Sequence, residues 1–214
     1  MALPQFPPTP VGLRSALVWA ADRSNADSAD AEADRVILRL ATAADVPTIH
    51  GLVKELAEFE REPDAVVTTI DTFLRDGFPE GPDATPLFHV LLASLGEGGS
   101  VGGMAFVYQS YSTWTGPCIY LEDLYVTPAA RRRGISRVLF KALAGAAHVT
   151  GCGRLHWSVL KWNTPALGLC ELSVTQLPCT MANASLLSMF VYTGVQTSRP
   201  TLQRSTLRSG RATD

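Results

Sequence analysis

Long apolar runs are missing from this chain. No stretch reaches the roughly 20 residues that a membrane-spanning helix needs, so no membrane partner is expected. Cysteine is sparse, and Cys118, Cys152, Cys170 and Cys179 lack metal-ligand spacing. No metal site is expected, and one or two of the cysteines read as small core hydrophobes. A surplus of charge is missing too. The 18 basic and 20 acidic side chains leave a net charge of -2, with no basic footprint for nucleic acid. A dinucleotide-binding loop would need glycines right after the first strand, and a phosphate-binding loop would need G-K-S/T; neither is present. The start of the chain lacks the basic n-region of a signal peptide. A reducing, cytoplasmic setting is expected.

The 214 residues suit one α/β domain with flexible ends. Residues 1–34 are Pro-rich and then Ala/Asp/Ser-rich, which predicts a disordered extension. RVILRL (35–40) reads as the first strand. Thr42 and Asp45 form a capping pair ahead of a helix whose apolar face is Ile49, Leu52, Val53, Leu56 and Phe59. A short helix from Thr69 to Asp76 follows, stopped by Gly77. Three strands come next, at 87–95, 101–111 and 118–126, joined by short turns and therefore antiparallel. A helix over 136–151 then crosses to a strand at 154–163, which implies parallel pairing there. The sum is a mixed, mostly antiparallel sheet with helices on both faces and a place where parallel neighbours separate. Residues 168–214 read as a divergent, poorly ordered tail that leaves the fold atypical or incomplete. Their clearest feature is an apolar patch from Leu186 to Tyr192.

The chemistry concentrates in YLEDLYVTPAARRRGIS, residues 120–136. Strand alternation predicts Ile119, Leu121 and Asp123 on one face, with Tyr120, Glu122 and Leu124 on the other. Adjacent carboxylates at a strand end are costly to bury, so at least one should face a cleft, as a general base or as an anchor for a cation. Arg131, Arg132 and Arg133 oppose the dipole of the helix they precede, which makes sense if an anion binds there. Gly134 lets the backbone approach that anion. His50 and His89 read as structural, whereas His156 could face a pocket. Trp157 and Trp162 read as packing residues.

Five separated segments together resemble one family: ILRLATAADVPTIHGLVKELAEFE, DGFPE (76–80), YLEDLYVTP (120–128), RRRGIS (131–136) and LKWNTPA (160–166). The region from Val36 to about Ala166 resembles the Gcn5-related N-acetyltransferases, and within them the diamine (spermidine/spermine and thialysine) type. The resemblance implies the acyl-CoA N-acyltransferase fold over 35–167, and transfer of an acetyl group from acetyl-CoA to a primary amine of a small polyamine or lysine-like acceptor. It implies that Leu124, Tyr125 and Val126 hold the pantetheine arm, with Asn163 nearby. Arg131, Arg132, Arg133, Gly134, Ile135 and Ser136 would take the pyrophosphate, with Ser136 where the family has Gly or Ala. Glu122 would accept the amine's proton and Asp123 would help hold the cation. Glu55, Glu58 and Trp114 would complete the acceptor groove. The family's tyrosine acid falls at Cys170, and beyond about Leu167 the likeness stops. A homodimer is implied, through a C-terminal region that differs here. A cofactor-binding but inactive relative and a peptide acetyltransferase stay open as alternatives.

Overall fold

Segments rich in β-branched and aromatic residues pair into one sheet in the computed structural model, which describes residues 12–27, 35–169 and 187–192. The strands are β1 (Val36–Leu40), β2 (His89–Leu95), β3 (Val101–Ser112), β4 (Gly116–Val126), β5 (Arg154–Leu160) and β6 (Leu187–Tyr192). Their order across the sheet is their order in the chain. The first four run antiparallel, while β4–β5 and β5–β6 are parallel. The mixed sheet expected from the sequence is present. Within the tail, Leu187–Tyr192 form β6, so the sheet extends one strand beyond β5; the expectation of poor order over the rest of the tail, 170–186 and 193–214, lies outside the described residues.

Helices α2 (Val46–Phe59) and α3 (Ile70–Gly77) cover one face of the sheet. Ile49 and Leu52 of α2 are buried against Val90, Leu92 and Met104, as the helical spacing of the sequence required. Asp45 caps this region: its carboxylate accepts from the Thr42 N–H at 2.8 Å and pairs with Arg39 at 2.6 Å. The Arg39 guanidinium beside it holds the Asp45 carboxyl well below the usual carboxylate range. Helix α4 (Ile135–Val149) covers the other face, with Ile135, Leu139 and Leu143 fully buried over Ile119, Leu121 and Leu155.

The expectation of disorder through residue 34 fails over α1 (Leu13–Asp27). Leu13, Ala16, Leu17, Ala20 and Ala21 form one buried stripe on the face that α4 also covers. The stripe has helical spacing and no internal Pro or Gly, and the prolines that dominate the composition all lie before it. The last turn of α1 also closes an edge of the sheet. The Asn25 side-chain amide donates to Leu38 O and accepts from Leu38 N, both at 2.8 Å, on the open side of β1. Arg35 donates to Asn25 O as well. Cys118 and Cys152 are buried free thiols, in keeping with a core role. Among the described residues no helix is long and apolar enough to cross a membrane.

Candidate active site at the parting of two parallel strands

The register of β3 against β4 slips once. Phe106 faces Asp123, but Val107 faces Leu121, so Glu122 is an extra residue on β4. Such a bulge interrupts the pleat. It overturns the strict alternation expected from the sequence. Leu121 and Leu124 both pack on the α4 side, while Tyr120 and Tyr125 lie on the α2 side. Between them, Glu122 and Asp123 share the α2 side, where Glu122 acts on the phenol of Tyr108. Burial, then the charges of Glu122 and Glu60, pushes the Asp123 carboxyl up to about 7. Burial also raises Glu60. Three carboxylates thus converge on one cleft. Glu60 lies at the end of α2 and was missed in the sequence, because it falls just past the acidic face that carries Glu55 and Glu58.

The ladder between β4 and β5 runs from Cys118–Arg154 to Leu121–Trp157 and ends there. The Tyr120 hydroxyl and Ser158 Oγ, 2.7 Å apart, bridge the strands at the last step. Beyond it, Leu124, Tyr125 and Val126 pair with β3 alone. Their other edge borders the gap, the parting of parallel neighbours expected from the sequence. The gap is bordered at its mouth by aromatic contacts. Phe59 of α2 tilts against Trp162 at 5.6 Å, and the Arg131 guanidinium lies over Phe59 at 5.2 Å.

Beyond Val126 the chain turns through Pro128–Ala130 into α4. Close approach is possible because Gly103 of β3 lacks a side chain; a Cβ there would meet Ile135 Cγ2 at 2.9 Å. Arg132 (φ 64°) and Gly134 (φ 81°) both adopt left-handed backbone. Left-handed residues ahead of a helix make a concave nest of N–H groups, continuous with the first-turn N–H groups of α4 that have no intrahelical acceptor. The space in front of Gly134 is open. Arg132 and Arg133 are exposed beside it, and Ser136 is half-buried in the first turn. This donor set fits a pyrophosphate. Arg131 differs from expectation: its Nε donates to Val126 O at 3.0 Å and its head stacks on Phe59 and Tyr125, which anchors the end of β4 to α2.

The remaining residues singled out in the sequence fall into place unevenly. Glu55 accepts from the Tyr125 hydroxyl at 3.1 Å, and Glu58 is exposed on the same helix. Asn163 caps the helical segment 164–169, its Oδ1 accepting from Ala166 N–H at 3.2 Å. Trp114 is not brought to the carboxylates; it stands at the tip of the β3–β4 hairpin, 93% exposed. Cys170 lies outside the described residues. His50 bonds to Thr68 O and packs on Phe73, a structural role. His156 lies on the cleft face of β5, with its ring 4.7 Å from Tyr120. A separate cavity of about 330 Å³, lined by Arg14, Thr42, Phe78 and His89 among others, opens at the β1 edge, three strands from β4.

Comparison with known proteins agrees with this fold. The family model described as "Acetyltransferase (GNAT) family" matches residues 52–172. A thialysine N-epsilon-acetyltransferase of Bos taurus is 41% identical over 140 residues, covering 63% of this chain and 80% of that protein. A spermidine/spermine N(1)-acetyltransferase-like protein 1 of Homo sapiens is 38% identical over 135 residues, 61% of this chain and 19% of that protein. A crystal structure of an aminoglycoside acetyltransferase from an uncultured soil metagenomic sample shares the fold. Its TM-score is 0.54 at 16% identity, over 64% of this chain and 86% of that one.

Proposed function

The chain belongs to the acetyltransferase (GNAT) family, and from that premise we propose that it moves an acetyl group from acetyl-CoA to a primary amine of a small polyamine or lysine-like acceptor. The observation that carries this reading is the bulge at Glu122, which puts two carboxylates on one face beside the gap between β4 and β5.

Bound acetyl-CoA supplies the acetyl thioester. The nest at Arg132–Gly134, with the N–H groups of Ile135 and Ser136, holds its pyrophosphate, and the free edge of Leu124–Val126 holds its arm. An alkyl ammonium has a pKa near 10 and must lose a proton before its nitrogen can attack. Glu122, exposed at the cleft, accepts that proton. Asp123, poised near neutrality, holds the cation and passes the proton on. A backbone N–H beside the bulge would supply the donor that the thioester oxygen needs as charge develops on it.

Thiol release from acetyl-CoA, measured over polyamines, thialysine and peptides, tests the reading. Turnover of the small amines that falls by about 100-fold or more in Glu122→Gln supports it. Turnover confined to peptides overturns it. A second reading, a relative that binds acetyl-CoA without reacting, is favoured by Cys170 at the position of the family's tyrosine, because a thiol is a weak donor. Coenzyme binding by calorimetry without thiol release would select it.

A further inference from the structure

The cavity at the β1 edge takes no part in the transfer, and separate segments of the chain build it. Arg14 comes from α1, Leu40 and Thr42 from the end of β1 and the turn after it, Phe78 from the end of α3, and Phe88 and His89 from the start of β2. Packing and backbone bonds fix these walls. Phe88 stacks on Phe106 at 4.3 Å, and Phe78 meets it edge-on at 6.3 Å. A Cβ on Gly77 would strike the Phe88 ring, so the missing side chain lets α3 seat against β2. The Ala41 N–H donates to Val90 O and the Leu87 N–H to Asp76 O, both at 2.8 Å. Leu13 is buried under α4 and holds Arg14 at the rim. At about 330 Å³ the space lies at the lower end of the range for small-ligand pockets, about 300–1,000 Å³.

The lining is apolar on one side and basic on the other. Leu40, Phe78 and Phe88 offer only hydrocarbon, and no residue that lines the cavity is acidic. His89 is half-buried and near enough to Arg14 for that charge to act on its imidazole. Burial, and then Arg14, hold the imidazole below its usual value, so at pH 7 it is neutral with one N–H to donate. We propose that this cavity is a second ligand site, for a small aromatic monocarboxylate whose charge meets Arg14 and His89 and whose ring lies on the phenylalanine wall. A guanidinium pairs a carboxylate through two parallel N–H donors. One permanent cation beside a neutral imidazole suits a single negative charge. Arg14 lies on α1, ahead of the family match at 52–172, so the charge comes from outside the matched region. The inference is independent of the acetyl-transfer reading.

The test is a titration of the isotope-labelled full chain with benzoate and with benzamide, followed through amide chemical shifts. Benzoate is expected to shift the amides of Phe78, Phe88 and His89 saturably, with a Kd of about 1 mM or tighter. Benzamide keeps the ring and loses the charge, and should bind about 10-fold or more weakly. Arg14→Gln, at an exposed position, should weaken benzoate by about 10-fold and leave benzamide unchanged. Arg14→Lys, which keeps the charge and loses the fork, should restore part of the difference. No shift at these amides up to about 20 mM benzoate overturns the inference. Shifts confined to Arg131–Ser136 overturn it as well, because they place the anion at the start of α4. Equal affinity for benzoate and benzamide, or an Arg14→Gln variant that binds benzoate as the native protein does, also overturns it. If Arg14→Gln does not fold, the benzoate-to-benzamide ratio and Arg14→Lys decide the matter.

Discussion

The Tyr120 hydroxyl lies 2.7 Å from Ser158 Oγ, tying β4 to β5 at the step where their backbones part. The contact acts as a stop at the closed end of the gap. Tyr120→Phe removes it and keeps the ring stacked on Tyr108. A loss of about 1 kcal/mol in stability is expected, read as the midpoint of urea unfolding. The same change should lower kcat several-fold, because the floor under the reacting amine loses its lateral tie. An unchanged midpoint and rate would show that the strands part without help from this pair.

Asp123 links activity to pH. Its carboxyl titrates at about 7, raised by burial and then by Glu122 and Glu60. The rate should therefore climb as pH rises through neutrality and flatten above it. The stability effect has the opposite sense. A carboxyl raised in the folded state contributes stability that is full below its unfolded pKa and is lost as pH rises through about 7. Asp123→Asn, which cannot ionise, should raise the melting temperature above pH 7 and leave it nearly unchanged below pH 4. The gain at high pH is bounded by about 4 kcal/mol, since a tenfold change in proton affinity is worth about 1.4 kcal/mol. A variant destabilised equally at all pH values would contradict the assignment.

Gly134 faces open space, so a methyl group there meets no neighbour; only its φ of 81° resists a side chain. Gly134→Ala should cost about 1 kcal/mol in stability. It should also weaken coenzyme A binding by 10-fold or more, because relaxing this φ turns a nest N–H away from the pyrophosphate. Isothermal titration against the native protein measures both the affinity and any lost heat. Equal affinity would remove the nest from the binding site.

Asn25 makes two hydrogen bonds to Leu38 that an alanine cannot make. Asn25→Ala is expected to cost about 1–3 kcal/mol by leaving a strand N–H and C=O without partners. Amide hydrogen exchange should report it locally, as lost protection at Leu38. Protection that survives the substitution would mean that water replaces the amide without cost.

Much of this fold was legible in the chain. The periodicity of Ile49, Leu52 and Leu56 gave α2, and short glycine turns gave the β2–β3–β4 meander. The crossover between β4 and β5 gave the parallel pair and so the gap. What escaped depends on contacts distant in sequence. The bulge at Glu122 is set by the pairing of Phe106 and Val107, which no local pattern on β4 reveals. The Ala-rich stripe of α1 was hidden by averaging its composition with the prolines before it. Arg131 looked like a phosphate ligand because the Phe59 beneath it is more than 70 residues away. Glu60 joined the cleft only once α2 was laid on the sheet.

Between Leu121 and Leu124 the strand β4 is one residue longer than its partner needs. The two carboxylates face the same way because of that surplus, and not because of any property of Glu or Asp. Shortening this stretch by one link would restore a regular pleat and send neighbouring side chains to opposite faces, toward α4 as well as toward the cleft. The site is therefore encoded in a count as much as in an alphabet. A single deletion between the two leucines changes which side chains reach the cleft.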